Sequence, residues 1–331
     1  MSEPPYLTYS RYLRQRHGCT VYRVAVDAGF CCPNRRGGRD ASGCSYCSEN
    51  GSRAPYLPSG LRADVCGLDA AGSCFDREGL NHQIRSAISF LSKRYSAEAF
   101  ILFFQAYSNT NAPAERLAEV YDAGLAAASF RGISVATRPD CLDEDKARLL
   151  SSYLDRGLEV WVELGLQSAC DRTLRRVGRG HTAEDFRRAH LLLKKRGIKV
   201  GVHLIFGLPG ETFDDMMKTI AFVARLSPDG VKIHNLLVHR GSPLAREMLM
   251  GEVTAPAAAR HLEYTLAAIE RLPPETVIMR ITCDALPPDI AAPRSFWSKG
   301  EFTSRLQSEM RARGARQGRL FPSLDLAIPI G

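Results

Sequence analysis

The sequence predicts an α/β fold, a partial TIM-type barrel of six β/α units with a C-terminal α/β extension. From residue 80 onward, short apolar runs alternate with stretches whose apolar residues recur every three or four positions. This alternation is typical of βαβ units around a parallel sheet. Six units fall short of a complete eight-unit barrel, which needs about 250 residues by itself. An open doubly wound sheet is the alternative architecture.

The six predicted strands are short and rich in apolar residues. They are Val21–Val26, Phe100–Gln105, Gly132–Thr137, Leu158–Leu164, Lys199–Phe206 and Gly230–Leu237. The helices predicted between them are Leu80–Tyr95, Ala114–Ala128, Asp143–Asp155, Ala183–Arg196 and Phe213–Leu226. In both architectures, reactive groups gather at the carboxyl ends of the strands.

Residue types at several helix ends support these boundaries. Asp143 and Thr212 are predicted N-caps, because their side-chain oxygens can accept a hydrogen bond from the first turn of a helix. Gly157, Gly197 and Gly230 are predicted to follow helices in a left-handed conformation, which glycine adopts without a steric penalty.

Two regions depart from the alternating pattern. Residues 48–79 are rich in Gly, Ser, Pro and Ala and are predicted to form a loop or insertion. After residue 240 the predicted elements are a helix at Ala257–Arg271, a strand at Val277–Ile281 and a helix near Lys299–Arg313. We therefore expect a core at residues 1–240, with a cysteine-bearing loop at 31–50, and an extension at 241–331 that ends in a basic tail.

Composition bounds the class of protein. At 331 residues with 45% hydrophobic content, the chain can bury a substantial core. It contains no run of eighteen apolar residues, and its first residues lack the apolar stretch of a secretory signal, so we expect a cytoplasmic protein without a membrane partner. Ten cysteines in a reducing compartment favour a metal or catalytic role over a disulfide framework.

The basic charge of the chain suits a polyanionic partner. The formal net charge is +8, and each contact of Lys or Arg with a phosphate gains from counterion release. The arginines cluster in two places, Arg172, Arg175, Arg176 and Arg179, and Arg311, Arg313, Arg316 and Arg319. Solvated helix faces and a disordered basic tail are the alternative interpretation.

Three cysteines form the strongest local pattern. Cys32, Cys44 and Cys47 follow the first predicted strand on a Gly- and Arg-rich loop, whose glycines let the backbone approach the sulfurs closely. Three thiolates can hold a cubane iron-sulfur cluster and leave one iron open, as catalytic metal sites do. A zinc site completed by Cys31 or His17 is the alternative.

Several stretches, in this order, resemble a known family. From about Tyr6 to beyond residue 290 they are "VYRVAVDAGFCCPNR", "GCSYCSENGS", "FFQAYSNTNAP", "ATRPDCL", "WVELGLQS", "GRGHT", "HLIFGLPGET" and "KIHNLLVHRGSPLA". In them the chain resembles the radical S-adenosylmethionine (SAM) superfamily, specifically the branch of the YhcC-like proteins and the radical SAM domain of the elongator catalytic subunit. Eleven residues separate Cys32 from Cys44, unlike the commonest CxxxCxxC spacing, but a long first gap is similar to this branch.

The resemblance implies a [4Fe-4S] cluster and SAM as cofactors. Cys32, Cys44 and Cys47 would be the cluster ligands, and the open iron would bind the amino and carboxylate groups of SAM. One electron, from a reductant such as flavodoxin or ferredoxin, would cleave the sulfonium to a 5′-deoxyadenosyl radical. The protein would orient the reactants and exclude side reactions.

The resemblance also implies contacts with the adenine of SAM. Tyr46 precedes the last cysteine, at the position whose aromatic side chain packs near the adenine in similar proteins; simple loop packing is the alternative. Ile205 and Gly207 lie in a segment that resembles the family's adenine-contact turn. Val238, after the sixth strand, would play a similar part.

Polar residues on and after the strands are further candidates for SAM binding. Gln105 to Asn109 follow the second strand in the family's methionine-binding segment, without its usual Gly-Gly-Glu. Arg138 ends the third strand. Glu163 lies inside the apolar fourth strand, so it is predicted to face a polar cavity and contact the cofactor or to pair with Arg138. His203, on the fifth strand, is a candidate too, although a lone strand histidine is usually a satisfied core residue.

Two cysteines outside the cluster pattern are candidate catalytic residues. Cys141 and Cys283 could donate a hydrogen atom to a substrate radical or attach a substrate covalently. For each, the alternative is an incidental thiol.

The resemblance implies the reaction class more firmly than the substrate. The relation to the elongator subunit and the basic charge favour tRNA, modified on the side chain of a wobble uridine. Radical modification of a protein or a small metabolite is the second hypothesis, and the Arg-rich segments would then be ordinary surface. The third hypothesis is a non-catalytic metal- or RNA-binding module.

Overall fold

The computed structural model describes residues 3–35, 43–47, 75–283 and 289–321. The loop predicted at residues 48–79 lies outside these residues as far as residue 74, and so does the end of the expected basic tail, from residue 322. None of the described helices combines the length and the apolar composition that a membrane crossing demands.

Nine strands are present in the described part of the chain. They are β1 (Val21–Val26), β2 (Ala99–Phe104), β3 (Gly132–Thr137), β4 (Glu159–Gln167), β5 (Lys199–Phe206), β6 (Gly230–Asn235), β7 (Val238–His239), β8 (Val277–Arg280) and β9 (Ile290–Ala292). Seven form one parallel sheet in the order β1-β2-β3-β4-β5-β6-β8, while β7 and β9 pair antiparallel. The large sheet curls into a half-barrel, so the predicted fold class is confirmed.

Ten α-helices surround this sheet in the same residues. They are α1 (Tyr9–His17), α2 (Arg77–Tyr95), α3 (Ala114–Ala126), α4 (Glu144–Asp155), α5 (Asp171–Arg176), α6 (Ala183–Lys195), α7 (Phe213–Leu226), α8 (Pro243–Leu249), α9 (Ala258–Arg271) and α10 (Lys299–Ala312). A 3₁₀ turn follows β3 at Pro139–Cys141. Helices connect the successive parallel strands, because a parallel pair requires a long crossover connection.

The two faces of the sheet have different surroundings. On the convex face, residues such as Val24, Leu102 and Val162 pack with helix residues such as Tyr121 and Ile220 in the main apolar core. The concave face carries the alternate strand positions, since successive side chains of a strand point to opposite faces. We call the space along this concave face the lumen.

The predicted strand bounds agree well with the structure. β1, β3 and β5 match their predicted ranges, whereas β4 continues to Gln167 and β6 ends at Asn235. β4 is longer because a register shift between Gly165 and Gln167 lets Gln167 pair with Leu204. β6 is shorter because its pairing with β5 ends where Phe206 meets Asn235.

The seventh strand of the sheet comes from the predicted extension. β8 pairs parallel with β6, with Gly230 opposite Val277. The strand predicted after residue 240 therefore extends the main sheet and is continuous with it.

The predicted helix caps are confirmed with one exception. Asp143 accepts a hydrogen bond from the backbone N–H of Lys146 at the start of α4, and Thr212 forms a capping box at the start of α7. Gly157 and Gly197 have positive φ. The prediction for Gly230 is wrong: Ser227 takes the left-handed cap position with φ 47°, and Gly230 begins β6. A side chain at Gly230 would overlap Met279 at 2.6 Å, so glycine is needed there for packing.

Helix α1 covers the amino end of the half-barrel. The rings of Tyr9 and Tyr12 meet Trp161 edge-on at centroid distances of 6.1 and 5.7 Å. Trp161 and Tyr12 both donate hydrogen bonds to the carboxylate of Glu159, and His17 Nε2 lies 2.9 Å from the same group. The floor of the lumen is therefore made of aromatic side chains that are linked to β4.

Candidate active site

The cysteine-bearing segments lie at the carboxyl end of β1. Cys32 is six residues beyond the end of β1, and a described segment of five residues carries Cys44 and Cys47. The backbone N–H of Cys47 donates to the carbonyl of Cys44 at 2.9 Å, which makes a tight turn between the two thiols. Ser45 donates to the carbonyl of Val177 at 2.9 Å, so this turn is attached to the segment that follows α5.

Two side chains donate towards the sulfur of Cys44. Asn34 Nδ2 lies 3.2 Å from Cys44 Sγ and also donates to the carbonyl of Gly178 at 2.6 Å. Arg179 Nη1 lies 3.8 Å from the same sulfur. A hydrogen bond with the Cys47 thiol and the charge of Arg179 lower the pKa of Cys44. The site therefore stabilises a thiolate, the form of cysteine that binds metals.

Arg179 is a buried member of this site. Its Nη2 donates to the carbonyl of Gly165 at 2.7 Å, and its Nε is buried without a hydrogen-bond partner in the part of the chain that the structure describes. The sequence grouped Arg179 with surface arginines, and that interpretation is wrong because the residue is only 6% exposed. A guanidinium at this depth is stabilised by the thiols that it faces.

The other arginines of the two predicted basic clusters are mostly engaged in surface ion pairs. The pairs are Arg172–Asp215, Arg176–Glu247, Arg313–Glu263 and Arg319–Glu270. Arg311 lies in helix α10, and the described chain continues in turns to residue 321, so the alternative of a disordered tail is wrong for these residues.

Arg138 approaches the cysteines from the end of β3. It is 3% exposed, and its Nε and Nη2 donate to Asp140 at 2.9 and 2.8 Å. Its Nη1 is buried and has no hydrogen-bond partner among residues 3–35, 43–47, 75–283 and 289–321. Cys32 lies within electrostatic range of this guanidinium. The predicted alternative of a Glu163–Arg138 ion pair is wrong, because Arg138 pairs with the acid two residues along its own chain.

His181 was not singled out in the sequence, although it lies in the stretch "GRGHT". Its Nε2 lies 3.0 Å from the carbonyl of Gly165, which Arg179 also contacts. Burial and the charge of Arg179 lower the pKa of His181 to about 4, so the ring is neutral near pH 7. His181 and Arg179 together attach the segment after α5 to β4.

The predicted adenine-contact residues come together in one apolar cluster. Tyr46, Ile205 and Val238 pack around buried residues that include Leu208 and Leu236. Among the described residues, the hydroxyl of Tyr46 is buried without a hydrogen-bond partner. Three residues far apart in the chain thus form one surface beside the cysteine turn, while their contact with adenine stays a prediction.

Gly207 has a packing role of its own. It adopts φ 89°, a conformation that favours glycine, and a side chain there would collide with the ring of Pro256. This close approach explains the glycine without any ligand. Its predicted contact with SAM stays a prediction.

The segment after β2 is held by its own backbone and by Asn109. The Asn109 amide donates to the carbonyls of Phe104 and Ala136 at 3.1 and 2.8 Å, which joins the ends of β2 and β3. The Asn109 Oδ1 is buried and has no hydrogen-bond partner within the described ranges. Gln105 continues the sheet pairing through its N–H, which donates to Val26 at 3.2 Å. Both N–H groups of Asn109 are used internally, so only its oxygen is left for a ligand.

Glu163 lies in the lumen and accepts hydrogen bonds from several strands. Arg23 Nη1 on β1 donates at 2.7 Å, His203 Nε2 on β5 at 2.8 Å, and Lys232 on β6 also donates. Ser134 Oγ lies 3.4 Å away. Lys232 and Arg23 hold the pKa of the fully buried Glu163 well below its usual range despite burial. The prediction that Glu163 faces polar groups is confirmed, and its partners are these residues.

His203 is bound to Glu163 and stacks on His234. The two imidazole rings are 5.2 Å apart and inclined by 29°. Burial and the nearby charge of Lys232 lower the pKa of His203 to about 4. Because Nε2 donates to a carboxylate, the neutral ring leaves Nδ1 as an acceptor. His203 is therefore a lumen residue and not the core residue of the alternative interpretation.

The two candidate catalytic cysteines differ in position. Cys141 is buried in the 3₁₀ turn after β3, and burial raises the pKa of its thiol to about 12. Cys283 follows β8, where its N–H donates to Asn235 Oδ1 at 3.0 Å and its Sγ lies 3.4 Å from the same oxygen. Their catalytic roles stay predictions.

The alternative zinc site lacks its proposed histidine. His17 contacts Glu159 beside α1, at the amino end of the sheet opposite the cysteines. Within the described ranges, no group of three His, Cys, Asp or Glu side chains converges tightly enough to hold a metal ion. A tetrahedral zinc gathers its ligands around one point, whereas an iron-sulfur cube carries them on separate corners.

Comparison with protein families accounts for almost the whole chain. A model described as the radical SAM superfamily matches residues 32–223, and one described as the radical SAM C-terminal domain matches residues 228–312. The first match begins at Cys32, and the second begins just before β6.

Full-length relatives carry no assigned reaction in their names. The uncharacterized protein YtqA of Bacillus subtilis is 34% identical over 98% of this chain and 95% of its own length. Protein YhcC of Escherichia coli is 31% identical over 93% of this chain and 94% of its own. The tRNA uridine(34) acetyltransferase of Methanocaldococcus infernus is 36% identical, but over only 36% of this chain and 22% of its own.

A solved structure shares the fold. The Elp3 protein of Methanocaldococcus infernus superposes with a TM-score of 0.63 at 23% identity, covering 75% of this chain and 64% of that one. At this identity the likeness concerns the fold alone. The family matches and full-length relatives show that the chain belongs to the radical SAM superfamily, the enzymes for which a [4Fe-4S] cluster and SAM are the implied cofactors.

Proposed function

We propose that this protein is a radical SAM enzyme whose cluster is held by Cys32, Cys44 and Cys47. The observation that carries the proposal is the buried Arg179 beside the Cys44–Cys47 turn at the carboxyl end of the half-barrel. Donors aimed at a sulfur stabilise the negative charge of thiolate-bound clusters, and Asn34 adds a second donor. The donor set therefore fits an iron-sulfur cluster.

Other residues around the cysteines would hold SAM. Arg138 has a buried Nη1 that no other described residue contacts by a hydrogen bond, which suits the carboxylate of SAM. Tyr46, Ile205 and Val238 form an apolar surface that suits the adenine. When bound, the cofactors would supply a 5′-deoxyadenosyl radical by one-electron cleavage of the sulfonium, with the electron coming from a flavodoxin or ferredoxin.

Metal analysis of single cysteine variants tests the cluster assignment. After anaerobic reconstitution, the wild-type protein should contain about four irons and matching sulfide per chain. Cys44→Ala should lose most of this iron, and so should Cys32→Ala and Cys47→Ala. Cys19→Ala is the matched control, because Cys19 is a free cysteine that packs near Leu13 and Val21, away from the site. One zinc per chain, or equal iron in all variants, would overturn the assignment.

We infer that the substrate is tRNA, modified on a wobble uridine. The partial likeness to a tRNA uridine(34) acetyltransferase and the net charge of +8 support this inference. Mass spectrometry of nucleosides from total tRNA, with and without the gene, tests it. Loss of one modified nucleoside in the deletion strain is expected. An unchanged nucleoside profile would defeat the inference and leave the radical SAM proposal intact.

A small acidic metabolite is the second candidate substrate, and one observation favours it. Several exposed arginines are paired each with its own carboxylate, while Arg23 and Lys232 share the single carboxylate of Glu163 inside the lumen. A site for a compact acid fits that distribution better than a site for a long polyanion does.

A further inference from the structure

The middle of the lumen contains more hydrogen-bond donors than acceptors. A carboxylate offers about four lone-pair sites. Glu163 already accepts from Arg23, Ser134, His203 and Lys232, so its accepting capacity is used. We call this middle part of the lumen, around Glu163, the layer. Any further hydrogen-bond donor in this layer needs an acceptor other than Glu163.

Four groups in this layer have donors left over. Arg23 gives one of its five N–H groups to Glu163, and Lys232 gives one of its three. The hydroxyl of Tyr9 and the Nε2 of His234 are buried without a hydrogen-bond partner among the described residues. Burial raises the pKa of Tyr9, so its hydroxyl keeps its proton and can donate.

The groups that carry these donors lie close to one another in the lumen. The Arg23 guanidinium lies 4.9 Å above the Tyr9 ring and 4.7 Å above the Phe103 ring. Lys232 Nζ lies 4.8 Å above the Phe103 ring, from the opposite strand. His234 follows Lys232 by two positions on β6, so both side chains leave the same face of that strand.

The charges of the layer do not balance. Arg23 and Lys232 are two cations beside the single carboxylate of Glu163. Burial and the charges of Arg23 and Arg280 lower the pKa of Lys232 well below its usual range, so an anion beside Lys232 would favour its charged form. An excess of positive charge in a desolvated space is costly unless an anion accompanies it.

The layer is also reachable. The side chains of Arg23 and His203 are 17% and 21% exposed, whereas that of Glu163 is fully buried. The amino end of the lumen is covered by α1, so access is from the end that carries the cysteines.

We propose that Tyr9, Arg23, Lys232 and His234 form a lumen site for a compact oxyanion, a carboxylate or a phosphate group of a small acidic molecule. The four residues supply donors and net positive charge, and Glu163 holds the two cations in place. His203 Nδ1 is the remaining acceptor and suits a hydroxyl next to the oxyanion. That the bound molecule is the enzyme's substrate rests on the second candidate substrate of the proposed function, a small acidic metabolite, whereas oxyanion binding itself does not.

Calorimetric titration of the reconstituted protein with acetate, methyl phosphate and neutral acetamide tests the site. We expect saturable binding of at least one oxyanion, one per chain, and none of acetamide. Tyr9→Phe keeps the ring packing and removes one donor to a charged group, which should weaken binding about tenfold or more. Arg23→Gln should weaken it at least as much. Arg156→Gln, in an exposed ion pair with Asp122, is the matched control and should bind as the wild type does.

The outcomes distinguish a carboxylic acid from a phosphate ester as the ligand. They also distinguish failure of the oxyanion site from failure of the proposed radical SAM function. Preference for acetate indicates a carboxylic acid, and preference for methyl phosphate indicates a phosphate ester. Absence of saturable binding to both, or unchanged affinity in both Tyr9→Phe and Arg23→Gln, would overturn the site. Oxyanion binding by a protein that does not cleave SAM would retain the site and reject the proposed function.

Discussion

The backbone oxygen of Gly165 is shared by two buried side chains. Arg179 Nη2 and His181 Nε2 lie 2.7 and 3.0 Å from it. A carbonyl has two lone pairs, so it can accept from both. Through this single oxygen, the residues that face the cysteines are attached to β4, and the cysteine turn is attached to the same segment through Val177.

Glu211 should make the stability of the protein depend on pH. Burial raises the pKa of Glu211 to about 7, although the hydroxyl of Ser168 donates to it. Between pH 5 and 7 the folded protein keeps a proton on Glu211 that the unfolded chain releases, so the contribution of Glu211 to stability falls as pH rises through this window, by up to about 3 kcal/mol. Urea unfolding at pH 5, 6, 7 and 8 measures this change. In Glu211→Gln the part of the pH dependence that comes from Glu211 should vanish. Parallel plots of unfolding free energy against pH for the variant and the wild type would contradict the raised pKa of Glu211.

The sequence identified some residues of the site and missed or misassigned others. Glu163 was identified because a charge interrupts an apolar strand, and the same signal would have found Arg23 and Lys232. Their mutual contact could not be predicted, since it joins positions 140 and 69 residues from Glu163. Arg179 was misassigned because it follows a short arginine-rich helix, and a cluster of arginines in the sequence is typical of an exposed surface. Only the packing of the folded chain shows that this arginine is buried.

At the level of elements, the ends of β2 and β3 are joined by one side chain. The Asn109 side-chain amide donates to a carbonyl at the end of each strand, and the backbone carbonyl of Asn109 accepts from the Tyr121 hydroxyl. Without the side chain, the carbonyl of Phe104 would lose this donor, whereas that of Ala136 would keep the backbone N–H of Asn109. The loop that follows β2 therefore depends on Asn109 for its shape.

Asn109→Ala should destabilise the protein by about 1–3 kcal/mol, because the carbonyl of Phe104 loses its side-chain donor and that of Ala136 keeps only the backbone N–H of residue 109. Asn111→Ala is the matched control, since Asn111 makes one exposed bond, to Cys31 at 3.3 Å, and should cost less than about 1 kcal/mol. Urea denaturation of both variants gives the free energies of unfolding. Equal effects would show that the strand ends do not need this connection.

Alanine variants of two glycines in the turn between β5 and α7 distinguish the cost of backbone strain from the cost of a steric collision. Gly207 and Gly210 both have positive φ, 89° and 79°, but only Gly207 faces the Pro256 ring. Gly210→Ala should cost about 1–2 kcal/mol from backbone strain alone. Gly207→Ala should cost clearly more, as thermal unfolding would measure. Similar losses in both variants would mean that Pro256 moves aside freely.

Most elements were predictable because each carries its own local signal. Alternating strands and amphipathic helices gave correct types throughout the sheet, and Thr212 and Asp143 marked helix starts. The exception at Gly230 has a tertiary cause, the side chain of Met279 on β8. The place of β8 in the main sheet likewise depends on packing that no local pattern contains.

At the level of the whole molecule, the half-barrel is joined across its lumen through Glu163. The carboxylate on β4 bonds to Arg23 on β1, the first strand in sheet order, and to Lys232 on β6, near the other edge. These bonds connect distant parts of a sheet that is not closed into a full barrel. They therefore stabilise its curvature as well as the proposed oxyanion site.

Glu163→Gln should destabilise the molecule by about 3–5 kcal/mol, because it leaves two buried cations without their counter-charge. Adding Lys232→Met to this variant should recover part of the loss, as the double variant buries one cation fewer. Glu144→Gln breaks an exposed pair with Arg196 and should cost at most about 1 kcal/mol. Chemical denaturation of the four proteins forms the test, and a double variant no more stable than Glu163→Gln would contradict this account.

Cleavage of SAM is the most direct measurement of the central claim. Protein reconstituted without oxygen, reduced with dithionite and given SAM should produce 5′-deoxyadenosine, detected by chromatography and mass spectrometry. Cys44→Ala should produce none, and Cys19→Ala should match the wild type. If reconstituted protein that contains about four irons per chain forms no 5′-deoxyadenosine, the cysteine turn and its arginine do not serve radical SAM chemistry.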